Sequence, residues 1–438
     1  MKTPVFLEGF SKLSKEEKIR TIAEVLSDPS FTEEAASFQH IDNQSLFDSF
    51  SENTLTNYYL PFGIAPNFII NQKIYHIPMV VEESSVVAAA SSSAKFWSTR
   101  GGFRAKVVSS LKKGHVHFLW TADKVILLEN FEAIKQQILA GTSPITANMQ
   151  KRGGGIVSIA LEDYTKKMAN YYRLSFDFNT VDSMGANFIN TTLESAALTL
   201  RSYVDQKIPE KSDCLEVIMS ILSNYTPECI AECQVSCPVE QLDKVDGVTQ
   251  AATFVHKFQK AVEIATIDPY RATTHNKGIM NGIDAVVLAT GNDFRAVEAG
   301  AHAFASSDGT YRSLSSVEIK EGIFTFSLQI PLSIGTVGGL TALHPLAKRA
   351  MQILGNPTAN ELMMIIAAAG LANNFAAIKA LVTKGIQQGH MKMHLPNILS
   401  QFNLTASQKA QATEYFKGNA VSHSAVRNFL KNELNIET

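Results

Sequence analysis

The chain has 438 residues, and its 39 Lys+Arg against 41 Asp+Glu leave a formal net charge of -2, so no excess of one sign exists to attract a polyanion or an anionic membrane. At roughly 100 to 200 residues per domain it can hold two to four domains and a sizeable core, which excludes a peptide-sized module. Hydrophobic residues at 45% and charged residues at 18% set it among folded globular proteins, outside the disordered class.

Pro4 and Glu8 interrupt the start before an apolar stretch of signal-peptide length can form, and no run approaches about 18 uninterrupted apolar residues. The expectation is a soluble cytoplasmic protein with neither nucleic acid nor membrane as partner. Ser14-Lys15-Glu16-Glu17 reads as a capping box opening an amphipathic helix with Ile19, Ile22, Val25 and Leu26 on one face, stopped near Asp28-Pro29. Glu82-Glu83 precedes a helix of small residues, Ser84 to Phe96, that ends at Arg100-Gly101-Gly102.

Between about 110 and 215 the pattern turns to period-two strands, at His115 to Trp120, Lys124 to Leu128, Ile156 to Leu161 and Tyr172 to Phe178. Helices at Phe131 to Ala140 and Ala186 to Val204 interleave with them, which reads as an inserted α+β domain. Cys214, Cys229, Cys233 and Cys237 are too few for a disulfide scaffold. Cys-x3-Cys-x3-Cys fits neither zinc nor ferredoxin spacing, so these are expected to be buried thiols beside a strand, with no metal. Small-residue helices follow at Thr249 to Ile267 and Ile279 to Phe304, then a hairpin of Tyr311 to Lys320 and Gly322 to Ile330. After Gly335-Thr336-Val337-Gly338-Gly339 and about residue 380, a polar helical segment suits a mobile cap.

Dinucleotide, P-loop, serine-hydrolase and zincin fingerprints are all absent. Three dense polar stretches remain. In Pro78-Met79-Val80-Val81-Glu82-Glu83-Ser84-Ser85 an apolar strand delivers two acids to a helix start, either as dipole-stabilised carboxylates or as a buried acid holding a proton. Asp268 to Gly278 reads as a loop whose Arg271, His275, Asn276 and Lys277 aim donors at an anion or a polarised carbonyl, with Asp293 further on as a partner for Lys277. A surface ion pair explains the same residues equally well. Nothing local marks His390, in Gln388-Gly389-His390-Met391, as an acid.

Taken together these stretches resemble the class II, bacterial-type 3-hydroxy-3-methylglutaryl-CoA (HMG-CoA) reductases. The likeness rests on Glu82-Glu83, on His275 to Asp284, on Gly291-Asn292-Asp293, on Val297 to Ala303, on Gln388 to Met391 and on Asp182-Ser183-Met184-Gly185-Ala186-Asn187, similar to that family's cofactor motif. The resemblance implies interconversion of HMG-CoA with mevalonate and CoA by two hydride transfers through mevaldyl-CoA and mevaldehyde. It implies Glu83, Lys277, Asp293 and His390 as catalytic residues. Lys277 would face the developing oxyanion and Asp293 would hold Lys277, while His390 would protonate the departing CoA thiolate and Glu83 the final alkoxide. Substrate contacts carried over are Ser85, Arg271, Asn224, Asn281 and Asn374, and cofactor contacts are Asp182, Met184, Gly185, Ala186 and Asn187.

Where NADH-preferring relatives carry an Asp, counting back from Gly153-Gly154-Gly155 gives Thr146. With Lys151 and Arg152 nearby and no carboxylate to repel a 2′-phosphate, NADPH is expected over NADH. The family's Glu-Asn-Val-Ile-Gly appears as Glu52-Asn53-Thr54-Leu55-Thr56, without its Gly. The implied fold class is α+β, with a large discontinuous helical and mixed substrate domain (1–109 and 216–378). A small non-Rossmann cofactor domain (110–215) is inserted, and a C-terminal helical flap (379–438) follows. A homodimer sharing its active site, or a hexamer built from such dimers, is also implied. Two other readings stay open: a different CoA-thioester oxidoreductase on this scaffold, and a non-catalytic CoA-binding protein.

Overall fold

The computed structural model describes residues 6–243, 245, 250–383, 395–396, 398–416, 418–419 and 421–436. The chain divides into two compact units, 1–61 and 62–438. In the first, α1 (Lys15–Leu26) is followed by α2 (Phe31–Ser37) and α3 (Gln44–Asp48). The expected capping box forms: Ser14 Oγ accepts from Glu17 N–H at 3.2 Å, and Glu17 Oε2 accepts from Ser14 N–H at 2.8 Å. Two orphan helix-start donors are thereby satisfied, and Ile19 and Ala23 take the buried face.

The second unit opens with a hairpin that the sequence reading passed over, β1 (Phe62–Ile70) and β2 (Lys73–Val80). Its two-residue turn, Asn71-Gln72, has φ of 48° and 68°, the twist that suits flanking antiparallel strands. Then come α4 (Val86–Ser98), β3 (Arg104–Ser110), β4 (Lys112–Trp120), α5 (Lys124–Gln150), β5 (Gly155–Asp163), β6 (Tyr171–Asn179), α6 (Ala186–Lys207), β7 (Leu215–Leu222) and β8 (Cys229–Pro238). The remainder is α7 (Ala251–Ile267), α8 (Pro269–Ala289), α9 (Phe294–Ala305), β9 (Ser315–Lys320), β10 (Ile323–Pro331), α10 (Gly339–Leu343), α11 (Pro345–Ile353), α12 (Ala359–Val382), α13 (Ala406–Tyr415) and α14 (His423–Asn432).

Two four-stranded antiparallel sheets organise this unit, in the orders β3-β8-β10-β9 and β5-β6-β4-β7. Because β3 pairs with β8, everything between them leaves one sheet and builds the other, which has its own core of Val116, Phe118, Phe176, Leu193 and Leu200. Cys229, Cys233 and Cys237, at even spacing along β8, all fall on its buried face. They lie within a strand, not beside one, and no metal-holding group occurs among the described residues.

Three expectations are corrected here. Lys124 to Leu128 is not a strand: Asp123 accepts from Val125 N–H at 2.8 Å, and Leu127, Ile134 and Ile138 line one buried stripe of a single helix, α5. The stretch 268–278 is not a loop: Asp268 caps the Tyr270 N–H, Pro269 sits at the first helical position, and 269–278 form the first half of α8. The expected helix from Ile279 to Phe304 breaks at Gly291, with φ of 69°, and Asp293 caps α9 anew.

At the centre α12 packs on α8 and α4. Gly282 permits this approach, since a Cβ there would lie 2.3 Å from the Ala369 carbonyl oxygen. In length and apolarity α12 would suit a membrane span, but 67% of its most apolar window is buried inside the protein, as in a core helix. A separate small core joins Leu395 and Leu399 to Ala412, Val426 and Leu430 of the last helices.

Candidate active site

The β2 strand carries the chain to Glu83, and α8 presents Arg271, Lys277 and Asn281 toward the same cavity of about 490 Å³ between α4, α8 and α12. Helical spacing puts residues three or four apart on one face, which explains why Arg271, Thr274, Gly278 and Asn281 all line it. Lys277 Nζ donates to Glu83 Oε2 at 3.1 Å. Both side chains stay open to solvent, 62% and 40% exposed, so the pair is available to a ligand. Among the described residues no carboxylate forms an ion pair with Arg271, whose guanidinium lines the cavity. Ser85, at the α4 start, has φ of 96° and spends no side-chain hydrogen bond on capping. Such strain in a non-glycine residue is characteristic of functional positions.

Beneath Lys277, His275 Nε2 lies 2.6 Å from Ser315 Oγ. Ser315 Oγ donates to Asn374 Oδ1 at 2.8 Å, and Asn374 Nδ2 donates to the His275 carbonyl at 3.2 Å. Since Ser315 gives its proton to Asn374, Nε2 must carry the imidazole proton. Burial, and then the Arg271 charge, lower the His275 pKa to about 3, so the ring is neutral and acts as a buttress. The sequence reading named Asn374 and missed this network, whose only signal was His275 four residues beyond Arg271. It also missed the Asp284 carboxyl, pushed up to about 8 by burial and by Glu298.

A second cavity of about 450 Å³ shares no residue with the first. It is lined by Ser183 to Phe188, Gly291 to Asp293 and the segment around Gly335 to Thr341. Met184, Gly185, Ala186 and Asn187 therefore sit together, at the start of α6. Asp182 does other work: its Oδ1 accepts from Ala359 N–H at 2.7 Å, securing the start of α12. Asp293 accepts from the Arg295 and Ala296 N–H groups and pairs with the Arg295 side chain at 3.3 Å.

Two expected juxtapositions are absent within one chain. Asp293 and Lys277 line different cavities. Thr146 is 1% exposed on the inward face of α5, with its hydroxyl on the Ser143 carbonyl, and lines neither cavity; Arg152 lines a hollow adjoining the second cavity, with Asp182 and Ser183. Asn224 is exposed in the β7–β8 connection, its carbonyl against Gly300, and lines neither cavity. His390, with the rest of Gln388-Gly389-His390-Met391, lies outside the described residues. A further cavity of about 780 Å³ against β3, β8 and β10 holds none of the expected residues.

Comparison with known proteins shows the family of the chain. The family model described as hydroxymethylglutaryl-coenzyme A reductase matches residues 14–395. A 3-hydroxy-3-methylglutaryl-coenzyme A reductase of Archaeoglobus fulgidus is 36% identical over 418 residues, covering 93% of this chain and 90% of its own. A probable one from Borreliella burgdorferi is 31% identical, covering 92% and 91%. A reductase structure from Streptococcus pneumoniae matches with a TM-score of 0.72 and 33% identity over 98% of this chain and 100% of its own. A class II structure from that organism, bound to NADPH in open conformations, matches with a TM-score of 0.71 and 35% identity, over 86% and 100%. These likenesses define an oxidoreductase acting on a CoA thioester. The chain belongs to the hydroxymethylglutaryl-coenzyme A reductase family, in its class II branch, and reduces HMG-CoA to mevalonate.

Proposed function

We propose that the first cavity holds the HMG group of HMG-CoA and the second a nicotinamide cofactor, with the reaction proceeding by two successive hydride transfers. The observation that carries this is the Lys277–Glu83 pair beside Arg271, an ammonium and an acid facing one cavity with a guanidinium unclaimed by any carboxylate among the described residues. Arg271 would bind the terminal carboxylate of the substrate in bidentate fashion, with Ser85 as a second donor. Lys277 would lie at the thioester carbonyl, where an ammonium stabilises the oxyanion as it develops. Asn281 and Asn374 would orient the reacting oxygen. Collapse of mevaldyl-CoA releases a thiolate, which His390 would protonate, and Glu83 would protonate the alkoxide of the second reduction.

The second cavity suits a dinucleotide. Gly185, Gly338 and Gly339 have φ of 88°, 82° and 56°, and a Cβ at either of the last two would enter open space. The start of α6 lacks a side-chain cap, so its N–H groups and dipole are free to face a diphosphate. When bound, the reduced nicotinamide supplies the hydride. Arg152, in the hollow adjoining the second cavity, favours NADPH. Residues 110–215 would then be the cofactor domain, 1–109 with 216–378 the substrate domain, and 379–438 a flap that excludes water from the aldehyde.

The separation of Asp293 from Lys277 supports a homodimer in which one protomer's cofactor cavity, with its Asp293, meets the partner's substrate cavity. A cytoplasmic location fits this chemistry. Initial rates of NADPH and NADH oxidation with HMG-CoA test the reading. NADPH oxidation with release of free CoA thiol is expected; strict use of NADH overturns the preference, and no oxidation of either overturns the assignment.

A further inference from the structure

Lys112, the first residue of β4, is 4% exposed. Its ammonium lies 2.6 Å from Thr180 Oγ1, 2.6 Å from the Ser183 carbonyl and 3.4 Å from the Ile334 carbonyl. Thr180 Oγ1 in turn donates to that Ser183 carbonyl at 2.6 Å. Among the described residues no carboxylate forms an ion pair with it, and burial lowers its pKa to about 8 against the opposing pull of Cys229 and Asp182. An interior cation held only by neutral oxygens is expensive, and an apolar side chain of equal size would serve stability better. A stability role therefore does not account for it.

The three oxygens belong to two of the three segments that wall the second cavity. Those segments are stitched further: Thr336 N–H donates to the Asp182 carbonyl at 2.8 Å, and Ser183 bridges Val337. A Cβ on Gly335 would lie 2.3 Å from the Met184 nitrogen, so the walls touch backbone to backbone. Gly335 N–H also donates to Asn292 Oδ1 at 2.8 Å, tying in the turn that carries Asp293. Two turns far apart in sequence thus meet over one ammonium, and Asn292 ties a third to them.

We infer that Lys112 is a positioning residue for cofactor binding: it locks the 180–187 turn to the 334–339 turn at the spacing a dinucleotide diphosphate requires, and it places a buried positive charge behind the start of α6. This rests on the cofactor reading of that cavity. Lys112 lines neither cavity, so its effect should divide cleanly between the two substrates.

The test compares the intact enzyme with Lys112→Met and with Thr180→Val, a near-isosteric change that withdraws one of the three acceptors. NADPH affinity is read by fluorescence titration, KM is measured separately for NADPH and HMG-CoA, and thermal melting checks the fold. Lys112→Met should raise both Kd and KM for NADPH about tenfold or more, with KM for HMG-CoA within about twofold of the parent. Thr180→Val should move NADPH alone in the same direction, by about threefold. Unchanged NADPH affinity in a folded Lys112→Met protein, or a parallel rise in both KM values, overturns the inference. Where Lys112→Met does not fold, Thr180→Val decides by the same criteria. An unmodified enzyme that fails to bind NADPH overturns the cofactor reading itself, a result distinct from binding that ignores both substitutions.

Discussion

Lys277 and Glu83 form a solvent-open ion pair, of a kind that contributes about 0–1 kcal/mol to stability. Its removal should therefore separate folding from chemistry. Lys277→Ala should lower kcat by about 10²–10³ or more, the scale for losing a group that stabilises an oxyanion, while the thermal midpoint stays nearly constant. Steady-state rates alongside calorimetry check this, and substantial residual turnover would count against Lys277 at the carbonyl. The interior histidines behave in the opposite manner. Burial lowers His115 to about 4 and His275 to about 3, each from an ordinary value of 6.5. Between those values and 6.5 the unfolded chain binds protons that the folded chain refuses, so stability contributed by the neutral rings is complete above about 6.5 and drains away as pH falls toward 4 and 3. Melting followed from pH 7 to pH 4 should show a declining midpoint, less steep in His275→Gln; equal slopes would remove His275 from the account.

At the scale of elements, α8 shows how local chemistry and packing divide the labour. Asp268 and Pro269 start it, but Gly278 and Gly282 lower its intrinsic preference, and read alone the polar residues from 268 to 278 resemble a loop. The helix holds because α12 lies against it at a distance only glycine permits. Gly282→Ala should thus destabilise the protein by about 1–3 kcal/mol, despite alanine's better helix propensity, because its Cβ would overlap the Ala369 carbonyl. A denaturant titration showing equal or greater stability would mean that the two helices can separate at no cost. Gly278, Asn281, Asn373 and Asn374 of the same two helices line the first cavity, so if HMG-CoA binds there its KM should rise with the loss of stability.

For the whole molecule, the decisive feature is that groups expected to act together line two cavities with no residue in common. If a partner protomer supplies the missing half, Lys277→Ala and Asp293→Asn should each be inactive alone yet complement when refolded together. Random pairing makes half the dimers mixed, and each mixed dimer keeps one of its two sites intact, so about a quarter of the original activity should return. No recovery from a mixture proven to contain mixed dimers would place both residues in one protomer's site.

What the sequence determined by itself was largely local, together with one resemblance carried by ordered motifs. The Ser14 cap, the hairpin over Glu321-Gly322, the α6 helix and the buried alternation of β4 and β6 were all legible because caps, turns and periodicities act over a few residues. Residue types suited to thioester reduction were legible too, since their chemistry is written in the side chains. Tertiary structure alone decided which of them meet. It brought Glu83 to Lys277 across the fold, buried Thr146 where a ribose contact was expected, assigned Asp182 to the start of α12, and gathered two distant turns over Lys112. Convergence of this kind depends on how two sheets and a central helix pack, and packing is a sum over contacts remote in sequence that no local pattern records.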